Sequence, residues 1–394
     1  MTAEVLVMNT SAVAMAADTA VSIPYGTGVK TYTRARKLLP LHNTEPVAVM
    51  VWDAPAYLGL PWEVIVGEFR QLKPTVLNKL DEYVEAFFAF VDTEASKWVV
   101  SQHEVTLLAE VLDPEIQLLQ QLWTDRLNAS DRPSSQTEIA AAAAEVGRAF
   151  AAATRRKYLQ ADRWGGRGAG ELGQLDPYVR DRFYAGASGL WGNLDGAVRR
   201  ELVELGRERM VYVIGDEPGS SGLVFAGYGS EELFAQARVW RVNGRLASTT
   251  RRVERRRFGV SPARPSIIVP VAQEGVIHSF LNGLHPEVDL LVGDVINSLA
   301  AQLGGADLAR GIKEQFDSQV SMRGDEVARA VEFLPPGDLA VVAGDLIRMT
   351  ALRNRATMTA ETVGGPIDVI LLSRADGFRW VQPPAGFRIG RAET

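Results

Sequence analysis

The chain has no cysteine among its 394 residues. Disulfides, thiolate metal sites and cysteine nucleophiles are therefore excluded, and a reducing compartment suits this composition. Histidine is nearly as scarce. His42, His103, His278 and His285 are scattered without metal-ligand spacing, so no metal and no other cofactor is expected. No apolar run approaches the roughly 20 residues of a membrane span. The first apolar run has Glu4 near its start and no basic region before it, so a cytoplasmic protein without a signal peptide is expected. An excess of positive charge is also absent. Lys and Arg total 42 against 48 Asp and Glu, a net charge of −6 that argues against a nucleic-acid surface. No Gly-x-Ser-x-Gly elbow appears. The glycine-rich stretch Trp164-Gly165-Gly166-Arg167-Gly168-Ala169-Gly170 has neither Gly-Lys-Ser/Thr nor Gly-x-Gly-x-x-Gly, and reads as a flexible loop.

What is present begins at the first eighteen residues. Ala3 to Met8 is apolar apart from Glu4, Asn9-Thr10-Ser11 is a turn, and Ala12 to Ala17 is apolar again, ending on Asp18. Two short apolar runs around a polar turn predict a buried β-hairpin. If Met1 is removed, Thr2 carries a hydroxyl and a free α-amine on one residue, a nucleophile beside its own base. The α-amine has a reference pKa of about 7.7–8.0, so it needs far less desolvation than a lysine to serve as a base.

Thr2 and Asp18, sixteen residues apart, together with the Met15-Ala16-Ala17-Asp18 ending, resemble the start of proteasome β-subunits and their bacterial two-component relative. Both belong to the N-terminal-nucleophile (Ntn) hydrolases. Lys37-Leu38-Leu39-Pro40-Leu41-His42-Asn43 resembles the β-subunit segment that supplies the lysine. The match needs extra residues before Lys37, which Pro24 to Gly28 would supply, and Arg34 or Lys30 are alternative registers. Val47 to Val51 matches the next strand. Asp53 to Arg70 resembles the turn and first helix, with Ala54-Pro55 where a glycine pair is usual. Thr362 to Val369 resembles the turn and strand after the last major helix, with Ala360 and Val363 at the offsets of the supporting Asp and Ser. Gly227-Tyr228-Gly229-Ser230 stands for the Gly-Ser-Gly loop, with Tyr228 in place of Ser. Pro61-Trp62-Glu63 and Phe280-Leu281-Asn282-Gly283 are similar to a group of long bacterial proteasome-like proteins.

The resemblance covers about half the chain in two blocks. It implies an α+β fold, the four-layer αββα sandwich of Ntn hydrolases, with a mainly helical insertion. The first part of the core would span 1–93, the insertion 94–206 and the second part 207–385. It also implies Thr2 as nucleophile, Asp18 holding Lys37, and the lysine lowering the hydroxyl pKa. A backbone N–H at Asp53 or a neighbour would serve the oxyanion, and Gly229 and Ser230 would line the substrate site. The partners implied are a peptide or protein substrate and further copies of the chain in a ring, with any ATPase or regulator unidentified.

The remaining elements are read from pattern. Trp62 to Leu72 and Thr75 to Val91 are helices, the second opened by Pro74 with aromatics at core spacing. Leu107 to Leu127 is helical with a fresh start at Pro114. Ser130 to Ser135 is a linker, and Thr137 caps an alanine-rich helix to Tyr158 without a formal capping box. Met210 to Ile214, Gly222 to Ala226 and Leu233 to Val242 read as strands. Asn243-Gly244 reads as a hairpin turn and Arg245 to Val253 as the return strand. Arg251, Arg252 and Arg255 to Arg257 form a basic cluster that faces either an anionic ligand or solvent and ring contacts. Helices follow over Val271 to Asn282, Glu287 to Gln302, Leu308 to Val320 and Leu339 to Arg353, then strands over Ile367 to Ser373 and Phe378 to Val381. Three functions are open: a threonine peptidase, a non-catalytic binding or regulatory member of the fold, and a small-molecule amidohydrolase.

Overall fold

The computed structural model describes residues 2–25, 28–73, 75–94, 97–98, 101–165, 168–215, 217–303, 305–357 and 364–382. Met1, Pro74, Gly166, Arg167, Ala360, Thr362 and Val363 lie outside them. The fold is mixed α and β with antiparallel sheets.

Strands β1 (Glu4–Asn9) and β2 (Val13–Asp18) form the predicted hairpin, with every residue of both buried. Strands covered on both faces carry near-continuous apolar sequence, as these do. Asn9 makes the turn. Its Oδ1 accepts from the N–H groups of Ser11 and Ala12 at 2.9 and 3.1 Å, and its Nδ2 donates to the carbonyls of Val331 and Leu334 at 3.0 and 2.9 Å. A small hairpin follows, β3 (Val21–Tyr25) with β4 (Gly28–Tyr32). Next come β5 (Leu38–Pro40), β6 (Val47–Asp53) and the two-residue pair β7 (Ala56–Tyr57) and β8 (Leu60–Pro61). Helices α1 (Trp62–Leu72) and α2 (Leu80–Glu94) turn aromatics inward, with Phe87 meeting Phe225 edge-on at 5.4 Å.

The segment from α3 to α7 is helical, as expected: α3 (Ser101–Asn128), α4 (Gln136–Tyr158), α5 (Asp176–Gly186), the short α6 (Ser188–Trp191) and α7 (Gly196–Val211). These helices bury a cluster of their own, including Leu112, Leu119, Phe150, Phe183 and Leu202. Pro114 sits inside α3 and does not begin a new helix. The cap of α4 is Ser135, not Thr137. Its hydroxyl accepts from Glu138 N at 3.2 Å while the Glu138 carboxylate receives Ser135 N, so a full capping box is present. Met210 and Val211 end α7 instead of opening a strand, and only Tyr212 makes an isolated bridge, to Arg163.

Strands β9 (Ser221–Gly227), β10 (Gln236–Leu246), β11 (Thr249–Gly259) and β12 (Ser266–Ala272) then build the sheets. Val271 thus belongs to a strand, and helix α8 (Glu274–Asn282) starts only after it. Helices α9 (Pro286–Leu303), α10 (Ala306–Glu332) and α11 (Pro336–Ala356) precede β13 (Ile367–Ser373) and β14 (Gly377–Gln382). Among the described residues, no helix is long and apolar enough to cross a membrane.

One sheet has the order β12-β1-β2-β13-β14 and the other β11-β10-β9-β6-β5. Side chains alternate across each strand. Leu6, Met8, Met15 and Ile370 of the first sheet pack with Met50, Val224 and Val239 of the second. The opposite face of the first sheet, through Val5, Ala14 and Ala16, meets Ala340, Ala343 and Ile347 of α11. The opposite face of the second, through Val49 and Phe225, meets Trp62 and Phe69 of α1 and Phe88 of α2.

Candidate active site

Asp18 closes β2 and gathers four donors. Its Oδ1 accepts from Ala3 N at 3.0 Å and from the Lys37 ammonium at 2.6 Å, and its Oδ2 accepts from Gly364 N at 3.1 Å and Ala20 N at 3.3 Å. The Asp18 and Lys37 side chains are almost sealed from solvent, at 1% and 5% exposure. Lysine arrives here because the chain before it is pinned. Thr19 Oγ1 donates to the carbonyls of Thr33 and Pro366 at 2.8 and 2.9 Å, and Ala35 N donates to Thr19 O at 3.0 Å. Of the three basic residues that could have met Asp18, the structure selects Lys37. Lys30 and Arg34 are exposed, and Lys30 lies over the Tyr32 ring.

Thr2 stands one residue before the Ala3 N–H that Asp18 holds. It is buried, and its hydroxyl has no hydrogen-bond partner among the described residues. It lines a cleft of about 650 Å³ with Trp52, Asp53, Arg241, Arg255 and Gln273, a volume in the range of small-molecule and peptide sites. Trp52 lies flat on Gly222, where a Cβ would come 1.8 Å from the indole. Asp53 has φ +62°, a left-handed backbone that non-glycine residues adopt at a cost of order 1 kcal/mol. Its carboxylate is ion-paired with Arg241. The basic cluster is spent on acids: Arg255 pairs with Asp162, Arg256 with Glu274 at 2.9 Å, and Arg257 with Glu254 and Asp81. Asp162 belongs to the helical segment, which therefore forms part of the cleft wall.

Gly229 and Ser230 are not at this cleft. Register places Asp53 opposite Ser221 and Val47 opposite Gly227, so the loop after β9 lies at the far end of the sheets. There Ser230 Oγ donates to Asn78 Oδ1 at 3.1 Å, and Arg374 donates to the carbonyls of Gly229 and Ser230. Glycine at 229 serves close packing, since a Cβ would meet the Asn78 carbonyl oxygen at 2.1 Å.

Two acids escaped sequence reading, although each is a lone carboxylate in an apolar strand. Glu4 and Asp368 both pair with Ala17, one from each side, which places them on one face. Both are buried and both lack partners for either oxygen among the described residues. Burial pushes Glu4 well above the usual carboxylate range. Lys37 opposes that shift, while Asp18 and Asp53 add to it. Burial likewise raises Asp368 to about 7 against the pull of Arg36 and Lys37. An acid raised in the folded state holds a proton that the unfolded chain has lost, so stability falls as pH rises between the two values and is flat above. For Asp368 this window runs from about 4 to 7. Urea midpoints across that window are expected to fall for the natural chain and to fall markedly less for Asp368→Asn. Equal slopes would remove this assignment.

Among the described residues no group of three or more His, Asp or Glu side chains is placed to hold a metal ion. No protein-family model matches the chain, and no curated protein matches it either.

Proposed function

We propose that the chain is a proteasome-type N-terminal-threonine hydrolase acting on amide bonds of peptides. The observation that carries this reading is Asp18, which ties the Ala3 N–H and the Lys37 ammonium into one buried unit directly behind Thr2. On this reading the two packed sheets and their flanking helices are the four-layer αββα sandwich of the Ntn hydrolases. Residues 1–93 and 207–385 form its two parts, with 94–206 inserted between them. After Met1 is removed, Thr2 Oγ attacks the carbonyl carbon and its proton passes to the α-amine. The C–N bond then breaks as that proton moves to the leaving amine, and water hydrolyses the ester that remains. Lys37 stabilises the developing alkoxide, and the backbone N–H of Asp53 serves the oxyanion, Ala54 N being committed to the Ser220 carbonyl at 3.2 Å. The chain works in the cytoplasm, on a peptide or protein substrate and in a ring of its own copies.

The test is intact mass before and after an epoxyketone, a probe that captures a threonine hydroxyl together with its amine. Loss of Met1 and a single adduct that vanishes in Thr2→Ala is the expected result. A retained Met1 with no adduct would favour the second reading, a binding scaffold of the same fold, which the distant position of Gly229 and Ser230 supports. Adducts with dipeptide substrates competing as well as long peptides would instead favour a small-molecule amidohydrolase.

A further inference from the structure

Glu4 is the acid that the Thr2 mechanism leaves unused. It lies two residues along from Thr2, and the strand period turns both side chains to one face, the face that Leu6 and Met8 bury against the second sheet. Glu4 has no solvent exposure, and neither its carboxyl oxygens nor the Thr2 hydroxyl has a hydrogen-bond partner among the described residues. Buried polar groups left unpaired cost about 1–3 kcal/mol each. Adjacent on one face, these two groups can meet that cost by pairing with each other. Burial raises the Glu4 carboxyl, and the Thr2 hydroxyl acts on it in the opposite direction. The charged groups facing Glu4 are Lys37 before β5, Asp18 at the end of β2 and Asp53 at the end of β6. Asp368 on β13 lies beyond Ala17, and on β12 the facing residue is the uncharged Ala272.

We propose that Glu4 is a second base for Thr2, taking the Oγ proton and returning it to the leaving group. This rests on the hydrolase reading of Thr2. With Glu4 ionised, the Oγ–H proton moves to its carboxylate as Oγ bonds to the carbonyl carbon and the C=O electron pair moves to oxygen. On collapse the C–N bond breaks, and Glu4 gives its proton to the departing amine. Water then attacks the ester and gives a proton to Glu4, which protonates Thr2 Oγ as the ester bond breaks. Atoms and protons balance with no further reactant. Two consequences separate this route from one through the α-amine. It does not need a free amine on Thr2, and it opens only as the proton that burial holds on Glu4 is lost.

A β-lactone leaves an adduct on the hydroxyl alone, so one can form whether or not the amine sits on Thr2, and it can test both. Its adduct rate is measured by mass between roughly pH 6 and 9, a span on both sides of the α-amine's reference value. One form is the processed chain, and the other is kept unprocessed by a lysine inserted after Met1, which moves the amine off Thr2. The unprocessed form is expected to acylate Thr2 still, at a rate that climbs with pH. In that form Glu4→Gln should lower the rate by about 100-fold, the lower end of general-base effects, and flatten the profile. Should the variant not fold, the profile of the unsubstituted unprocessed chain decides, and a flat one overturns the proposal. Acylation of the processed form alone also overturns it, leaving the hydrolase reading intact. Acylation of neither form removes both.

Discussion

Lys37→Met is expected to destabilise the protein by about 3–5 kcal/mol, the usual cost of stripping one partner from a buried ion pair. The methionine fills similar volume, so packing is largely kept and the charge is what is lost. Asp18 would retain its three backbone donors from Ala3, Ala20 and Gly364, but its carboxylate would stay buried with no cation beside it. The same change removes the only cation that touches Asp18 next to Thr2 among the described residues. On the hydrolase reading, loss of this one preorganised electrostatic group costs about 100- to 1,000-fold in labelling rate. Chemical denaturation and epoxyketone labelling of one preparation read the two effects separately. A loss below about 1 kcal/mol would mean the pair is not buried as described.

Glu217→Gln should be comparably severe, by about 3–5 kcal/mol, because two buried guanidiniums share that carboxylate. Arg209 Nη1 donates to its Oε1 at 2.8 Å and Arg251 Nη1 to its Oε2 at 3.0 Å, with the arginine side chains 6% and 4% exposed. Burial alone would raise Glu217, but Arg251 and Arg209 outweigh it and hold it below its ordinary value. Arg251 also donates to the Met210 carbonyl and to Asn243, and its guanidinium lies 4.9 Å from the Trp164 ring. Arg209 reaches Glu115 of α3 at 3.6 Å. The cluster thus fastens α3 and α7 to β10 and β11. The glutamine keeps the shape and removes the charge, so limited proteolysis should cut within 94–206 sooner than in the natural chain. Unchanged proteolysis and stability would show that apolar packing alone holds the helices.

The parts of the fold that could be read from sequence were those where one force acts alone. The β1–β2 hairpin, the aromatic stripes of α1 and α2, and β13 follow from burial pattern. Where tertiary contacts intervene, local signals misled. Asn243-Gly244 is a strong hairpin dipeptide, yet β10 runs through it as a bulge, with the register slipping between Val242 and Arg245. Asn243 is committed there to Arg251, Ser220 and the Pro218 carbonyl. The turn falls instead on Ala247 and Ser248, both with positive φ and neither a residue that announces such a turn. Strand β12 is hidden in the sequence because Pro270 interrupts its apolar run and demotes it as a strand. At the site, the pairing of Asp18 with Lys37 was legible by resemblance. Glu4 and Asp368 were not, because what makes them unusual is burial without a hydrogen-bond partner, which only the packed fold imposes.

The place of β1 inside its sheet also sets a clock on the ribosome. Its two neighbours are β2, made at once, and β12, which emerges about 250 residues later, roughly 13–50 s at 5–20 residues per second. For at least that interval, and until β13 and β14 follow, Thr2 belongs to a chain whose sheet cannot close; in the complete fold it is 5% exposed. On the hydrolase reading, an enzyme that trims the residue before Thr2 would work best on the nascent polypeptide, and such trimming would compete in time with folding.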